Sequence, residues 1–156
     1  MTEFTIREGQ LSDVVPIARF QQQMALETEN KELSETLIIA GVKAVFEEGQ
    51  GDRKGFYVVA ESENNVIGSL LVTYEWSDWR NGWFWWIQSV YVHHKWRQKG
   101  VYTALHKSVQ DRSKKSGDSC GIRLYVEKEN TIAQQVYQKM GMYEREYFLY
   151  EIDYSV

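Results

Sequence analysis

Between Tyr91 and Val109 the chain reads YVHHKWRQKGVYTALHKSV, and the order of elements in this stretch decides the fold. Upstream, Trp83 to Val92 is dense in aromatic and β-branched residues, the composition of a strand. Downstream, Val101, Leu105 and Val109 recur four residues apart, as on the buried stripe of a helix. Between them lies a turn with Arg97, Lys99 and Gly100. A strand–turn–helix succession aims several backbone N–H groups and the positive end of the helix dipole at one point. Gly100, lacking a Cβ, lets main chain approach an anion, and Arg97 and Lys99 add charge. A pyrophosphate suits such a turn, although the same residues alone also describe a solvated helix start.

Working outward, Phe4 to Arg7 alternates as a short strand, and Ser12 opens a helical pattern through Val15, Ala18, Arg19 and Met24, with Pro16 near enough to the start to be tolerated. After TENKE, Ser34 can cap a second helix carrying Leu37, Ile38, Gly41, Val42 and Val45, which ends in EEGQGDRKG. Phe56 to Ala60 and Val66 to Tyr74 form a hairpin around Glu63, Asn64 and Asn65. EWSDWRNG reads as a loop before the strand Trp83 to Val92, so three antiparallel strands follow one another. The helix from Gly100 dissolves in KKSGDSCG, and Ile122 to Val126 is the next strand. Asn130 caps a helix with a stripe of Ile132, Ala133, Val136, Tyr137 and Met140, stopped by Gly141, and YFLYEI closes the pattern as a strand. The sum is an α/β (α+β) chain, a mixed and mainly antiparallel sheet with helices on its faces. Without a linker or internal repeat, residues 1–156 read as one domain.

Composition sets the outer bounds. With 43% hydrophobic residues the chain can build a core, and its formal charge of -4 argues against wholesale binding to nucleic acid. Cys120 is the only cysteine, which rules out an intrachain disulfide and a multi-thiolate zinc site and fits the cytoplasm. MTEFTIREGQ has no secretion-signal pattern, and no apolar run is long enough to span a membrane. His93 and His94 diverge at a strand end and read as surface residues rather than metal ligands.

The turn resembles the Gcn5-related N-acetyltransferase (GNAT) family signature of Gln or Arg, two residues, Gly, one residue, then Gly or Ala. Arg97, Gln98, Lys99, Gly100 and Val101 fit it, whereas Tyr102 stands where the family has its second small residue. SVYV before the turn and RLYVEKENTIAQQVYQKMGM after it extend the likeness from about Phe56 to Ile152, and EWSDWRNG marks a subgroup within it. The resemblance implies a splayed parallel strand pair forming an acyl-CoA cleft, with acetyl-CoA as co-substrate and no metal. Its pantetheine would pair with the main chain of Val90 and Val92 beside Tyr91, and its phosphates would lie on Arg97, Gln98, Lys99, Gly100, Val101, Tyr102 and Thr103. Asn130 would hold the pantetheine, cap its helix, or do both.

By the same resemblance Tyr137 would protonate the departing thiolate, a phenol of pKa about 10 serving a thiol of about 8.5. Many relatives carry a carboxylate on the strand before the turn. Trp85, Trp86, Ile87, Gln88 and Ser89 stand there instead, so Glu75 is the nearest base, with Asp78 beside it. Glu27 and Glu29 would form an acidic lip over the acceptor amine, and rings such as Trp76 could wall its site by cation–π contact. Trp83 and Trp85 share one strand face, and Phe84 and Trp86 the other. The expected activity is acetyl transfer to a primary amine by direct attack in a ternary complex, with a non-catalytic acyl-CoA-binding module as alternative. An aromatic carbohydrate-binding domain would explain the tryptophans but not the turn. The strands Trp83 to Val92 and Tyr147 to Ile152 could also pair across a homodimer.

Overall fold

The computed structural model describes residues 3–47 and 54–155. The end assigned to the second helix, EEGQGDRKG, therefore falls largely outside the described residues. The chain forms two compact units, Met1–Tyr125 and Val126–Val156, each taken by itself below.

In the first unit, β1 (Thr5–Glu8) leads through a single 3-10 turn (Leu11–Asp13) into α1 (Val14–Glu29) and α2 (Glu35–Phe46). Then come β2 (Gly55–Ser62), β3 (Asn65–Ser77), β4 (Gly82–Val92), a second 3-10 turn (His94–Trp96), α3 (Val101–Ser116) and β5 (Ser119–Arg123). The strands lie in chain order, β1 to β4 antiparallel and β4 with β5 parallel. Short turns join β2 to β3 and β3 to β4, β1 reaches its antiparallel place beside β2 by way of α1 and α2, and the parallel pair needs α3 as its crossover. Ser34 caps α2 as expected, its Oγ accepting from Leu37 N–H at 3.3 Å.

Alternation along β2 sorts the core into two halves. Phe56, Val58 and Ala60 face α3, joining Leu70, Val72, Trp85 and Ile87 with the predicted stripe Val101, Leu105 and Val109. Tyr57 and Val59 face the other way, toward Val14, Ile17, Ala18 and Val42 of α1 and α2. Helices thus cover both sheet faces, and each fully buried valine or leucine stabilises the fold by about 1.5–3 kcal/mol.

Several expectations change, among them the last strand of the first unit, which forms over Ser119–Arg123 rather than Ile122 to Val126. The buried face of α1 is Val14, Ile17, Ala18, Phe20, Gln21 and Ala25, while Val15 is exposed. Residues 11–13 form a 3-10 turn before the helix begins at Val14, and packing against Tyr57 and Val59 selects the Val14, Ile17 and Ala18 face. Glu75, Trp76 and Ser77 are not loop but the end of β3, paired with Phe84, Trp83 and Gly82, so the turn shrinks to residues 78–81. Cross-strand aromatic pairing sustains this extension, with Trp76 and Trp83 rings 4.9 Å apart. Finally, no strand forms over Tyr147–Ile152. Alternation makes a segment ready for a sheet, but a strand exists only where a partner's backbone receives it. As for pairing across a dimer, Trp83–Trp86 already has β3 on one side and β5 on the other.

The second unit contains α4 (Thr131–Lys139). Asn130 Oδ1 accepts from Ala133 N–H at 3.1 Å, and Gly141 follows with φ 93°. Met142 N–H returns to Tyr137 O at 3.0 Å, closing the helix end as the sequence implied.

Candidate active site

β4 is regular until Gln88, which pairs with Leu71. The register then slips, because Ser69 pairs with Tyr91 and Leu70 must stand opposite both Ser89 and Val90. This is a β-bulge, and Ser89 adopts the left-handed conformation at φ 54° to make it. The parallel ladder between β4 and β5 runs only from Trp83–Ser119 to Trp86–Arg123, where β5 ends. From Gln88 to Val92, β4 is paired with β3 alone among the described strands.

The freed edge has a defined polarity. His93 donates its N–H to Ile67 O at 2.8 Å on the β3 side, so the preceding main chain of Val92, and of Val90 two residues back, turns toward the open side. Arg97 confirms the direction, its Nε donating to Val92 O at 2.9 Å. Val90 and Val92 thus turn their main chain to an open edge, and the bulge that re-aims them has no mark in the sequence. Only a non-glycine residue in an αL position marks it, and serine gives no such signal in a sequence.

Beyond Val92 the chain turns through His94–Trp96, with Gln98 at φ 60° and Gly100 at φ 80°. A Cβ on Gly100 would meet open space, so it is the backbone angle rather than crowding that selects glycine here. The first bond of α3 is Ala104 N–H to Gly100 O at 3.1 Å, which leaves the amides of the preceding turn outside the helix ladder. Lys99 Nζ sits 5.5 Å from the Trp96 ring centroid. Tyr102 Oη lies 2.8 Å from His106 Nδ1, so this large side chain is drawn along the helix to the next turn.

Arg97 has a second partner. Its Nη2 donates to Glu27 Oε2 at 2.9 Å, and its guanidinium lies 5.2 Å from the centroid of the Tyr91 ring. Tyr91, nearly buried, donates its hydroxyl to Glu27 Oε1 at 2.8 Å and packs on Phe20. The Tyr91 hydrogen bond, then Arg97, hold the Glu27 carboxyl below its ordinary range against the opposing effect of burial. Burial and the Glu27 carboxylate in turn push the Tyr91 phenol up. Glu27 is therefore a strut between α1 and the turn, and Glu29 is the exposed last residue of α1.

The sheet face opposite α3 carries Thr73 and Glu75 of β3, Phe84, Trp86 and Gln88 of β4, and Arg123 of β5. Gln88 Nε2 donates to Thr73 Oγ1 at 2.8 Å. Arg123 Nη1 donates to Glu75 Oε1 at 2.7 Å, and its guanidinium lies 3.6 Å from the Phe84 ring centroid. Tyr125 follows, its ring 6.0 Å from Trp86. Trp76 pairs with Trp83 on the α3 side instead, so Trp86 rather than Trp76 shares a face with Glu75. Asp78 is exposed in the turn between β3 and β4. Arg123 was absent from the sequence reading, because only the parallel register brings it beside Glu75. Asn130 and Tyr137 belong to α4 of the second unit. Among the described residues no group of three or more His, Cys, Asp or Glu could hold a metal ion, and no helix is long and apolar enough to cross a membrane.

A sheet whose one parallel strand pair parts beside a strand–turn–helix cradle defines an acyltransferase of the acyl-CoA class. The model of the acetyltransferase (GNAT) family matches residues 20–142, and the chain belongs to that family. A "possible acetyltransferase" from Clostridium difficile 630 is 43% identical, with 96% of this chain and 97% of that one covered and a TM-score of 0.86. A predicted acetyltransferase with acetyl-CoA from Clostridium acetobutylicum shares the fold at 15% identity, covering 97% and 96% of the two chains with a TM-score of 0.75. So does an aminoglycoside N-acetyltransferase in complex with CoA, at 16% identity over 99% and 97%, TM-score 0.76. No curated protein sequence matches the chain.

Proposed function

We propose that residues 1–156 act as one cytoplasmic N-acetyltransferase domain that passes an acetyl group from acetyl-CoA directly to a primary amine. The observation that carries this reading is the open β4 edge at Val90 and Val92 leading straight into the Gly100 turn. Edge amides and carbonyls can pair with the amides of a pantetheine arm as a neighbouring strand would, and helix-start amides suit a diphosphate. Gln98, Lys99, Gly100, Val101, Tyr102 and Thr103 are the proposed phosphate contacts. Arg97 caps Val92 O, which the arm would claim on entry. Asn130 is proposed to combine its capping bond with a pantetheine contact.

In the proposed reaction the neutral amine attacks the thioester carbonyl, the C–S bond breaks, and the thiolate takes a proton from the Tyr137 hydroxyl. The amine proton leaves toward Glu75 through water. That carboxylate has one oxygen on Arg123, which supports a water-mediated role over direct contact. Asp78, Glu27, Glu29 and Trp76 are proposed to shape the approach of the amine from the surface. The same commitment of Glu75 supports a second reading, a module that binds acyl-CoA without acceptor chemistry.

Calorimetry with CoA and acetyl-CoA, followed by thiol release over a panel of amines, separates the two. Saturable binding with amine-dependent release is expected. Tyr137→Phe should lower kcat about 10²-fold or more with the KM for acetyl-CoA unchanged, the size of a lost general acid. Binding without release on any amine favours the module, and a folded sample giving no heat with either ligand overturns both.

A further inference from the structure

The sheet face at which β4 and β5 part carries a cation where an amine-binding pocket would be expected to carry acid. Arg123 is the last residue of the parallel ladder, one side of its guanidinium laid on Phe84 and Nη1 bonded to Glu75. Its side chain is 29% exposed, and among the described residues that single donation is its only hydrogen bond. A guanidinium has five N–H donors in a planar fork, so most of this one is unspent. Arg80 lies over the same ring at 5.0 Å. Glu75 is the carboxylate bonded to Arg123 there, and Trp86 and Tyr125 stand beside it as apolar walls.

We infer that the acceptor is an amine that also bears a carboxylate, such as an amino acid or a peptide terminus, and that Arg123 is the residue that selects it. The inference rests on the transferase reading above. α3 covers the opposite face of β4 at Trp85 and Ile87, so an acceptor reaching the point where the strands part approaches over Trp86, Gln88 and Arg123. A carboxylate taking the free edge of Arg123 lies beside Glu75 without displacing it, because one guanidinium can serve two carboxylates through different nitrogens. The planar fork offers paired N–H groups to the two coplanar oxygens of a carboxylate. Contact with Phe84 and the bond to Glu75 restrain the Arg123 head before any acceptor arrives, which lowers the entropy lost on binding.

The fold protects this arrangement through Gly121. A Cβ there would come within 2.8 Å of the Phe84 ring, pushing the platform out from under Arg123.

The test measures thiol release from acetyl-CoA with L-amino acids, each beside its carboxamide, and with O-phosphoethanolamine as the dianionic competitor. The best acid should exceed its amide at least tenfold in kcat/KM. Arg123→Gln should reduce that ratio to near one by raising the KM for the acid, with the acetyl-CoA dissociation constant unchanged as the control for folding. Arg123→Lys, which keeps the charge and loses the fork, should fall between. Equal use of acid and amide, a ratio untouched by Arg123→Gln, preference for the phosphate amine, or CoA binding with no release on any acid each overturns the inference while leaving CoA recognition standing. Absence of CoA binding removes the transferase reading and this inference with it.

Discussion

His106 is fully buried on α3, its Nδ1 against Tyr102 Oη and its Nε2 without a partner among the described residues. Burial lowers its pKa, since a charged imidazole there would lose its hydration. The folded state then takes up a proton less readily than the unfolded one, so its contribution to stability is present above the ordinary histidine value of about 6.5 and is lost as pH falls below it. Urea unfolding should show ΔG declining through that window by up to about 1.4 kcal/mol per pH unit, with a shallower slope in His106→Phe. Asp13 acts lower on the scale. Burial alone would raise its pKa, but Arg7, which holds it bidentately at 2.8 and 3.0 Å, and the Gln10 N–H outweigh that and lower it. Its contribution is present above about 3.9 and vanishes as pH drops further. Asp13→Ala should lose about 1–3 kcal/mol at neutral pH, because it strips Arg7 and the Gln10 amide of a charged acceptor. Both side chains were unremarkable in the sequence, where Asp13 is one acidic residue near a helix start and His106 one of three histidines. Burial, which gives them their pH dependence, is a property of packing.

At the scale of elements, the stretch that carries the chemistry is also the one that departs from regularity. The bulge requires Ser89 at φ 54°, and a β-branched residue there pays for the crowding of its Cβ by roughly 1–2 kcal/mol. Ser89→Val should therefore be destabilised by that amount in urea and bind CoA more weakly, whereas Ser89→Gly should keep both properties. On β5, Gly121→Ala drives a methyl into the Phe84 ring and should lose about 1–3 kcal/mol, seen as a lower midpoint without a change of slope. Apolar period placed α3, and aromatic and β-branched density placed β4, because both signals are local to the element. Neither signal marks the bulge, whose signature is a backbone angle, nor where the β4–β5 ladder ends.

At the scale of the molecule, all six tryptophans lie in the first unit and α4 lies in the second, which provides a test of whether residues 1–156 behave as one domain. Tryptophan fluorescence, which follows the first unit, and loss of amide-exchange protection in α4, which follows the second, should share one urea midpoint, as a single cooperative unit does, and two separated transitions would show units that unfold independently. The sequence by itself determined the class of sheet and the helices on its faces, because apolar period and turn residues are local and each element carries its own. It determined the Gly100 turn for the same reason, since a strand, two cations, a glycine and a helix stripe stand within twenty residues. Only the tertiary structure decided that Arg97 braces Val92 and Glu27, that Glu75 is paired with Arg123, and that Trp86 replaces Trp76 on that face. Those facts join residues up to 70 positions apart, and ladder register and packing create such proximity rather than any spacing along the chain.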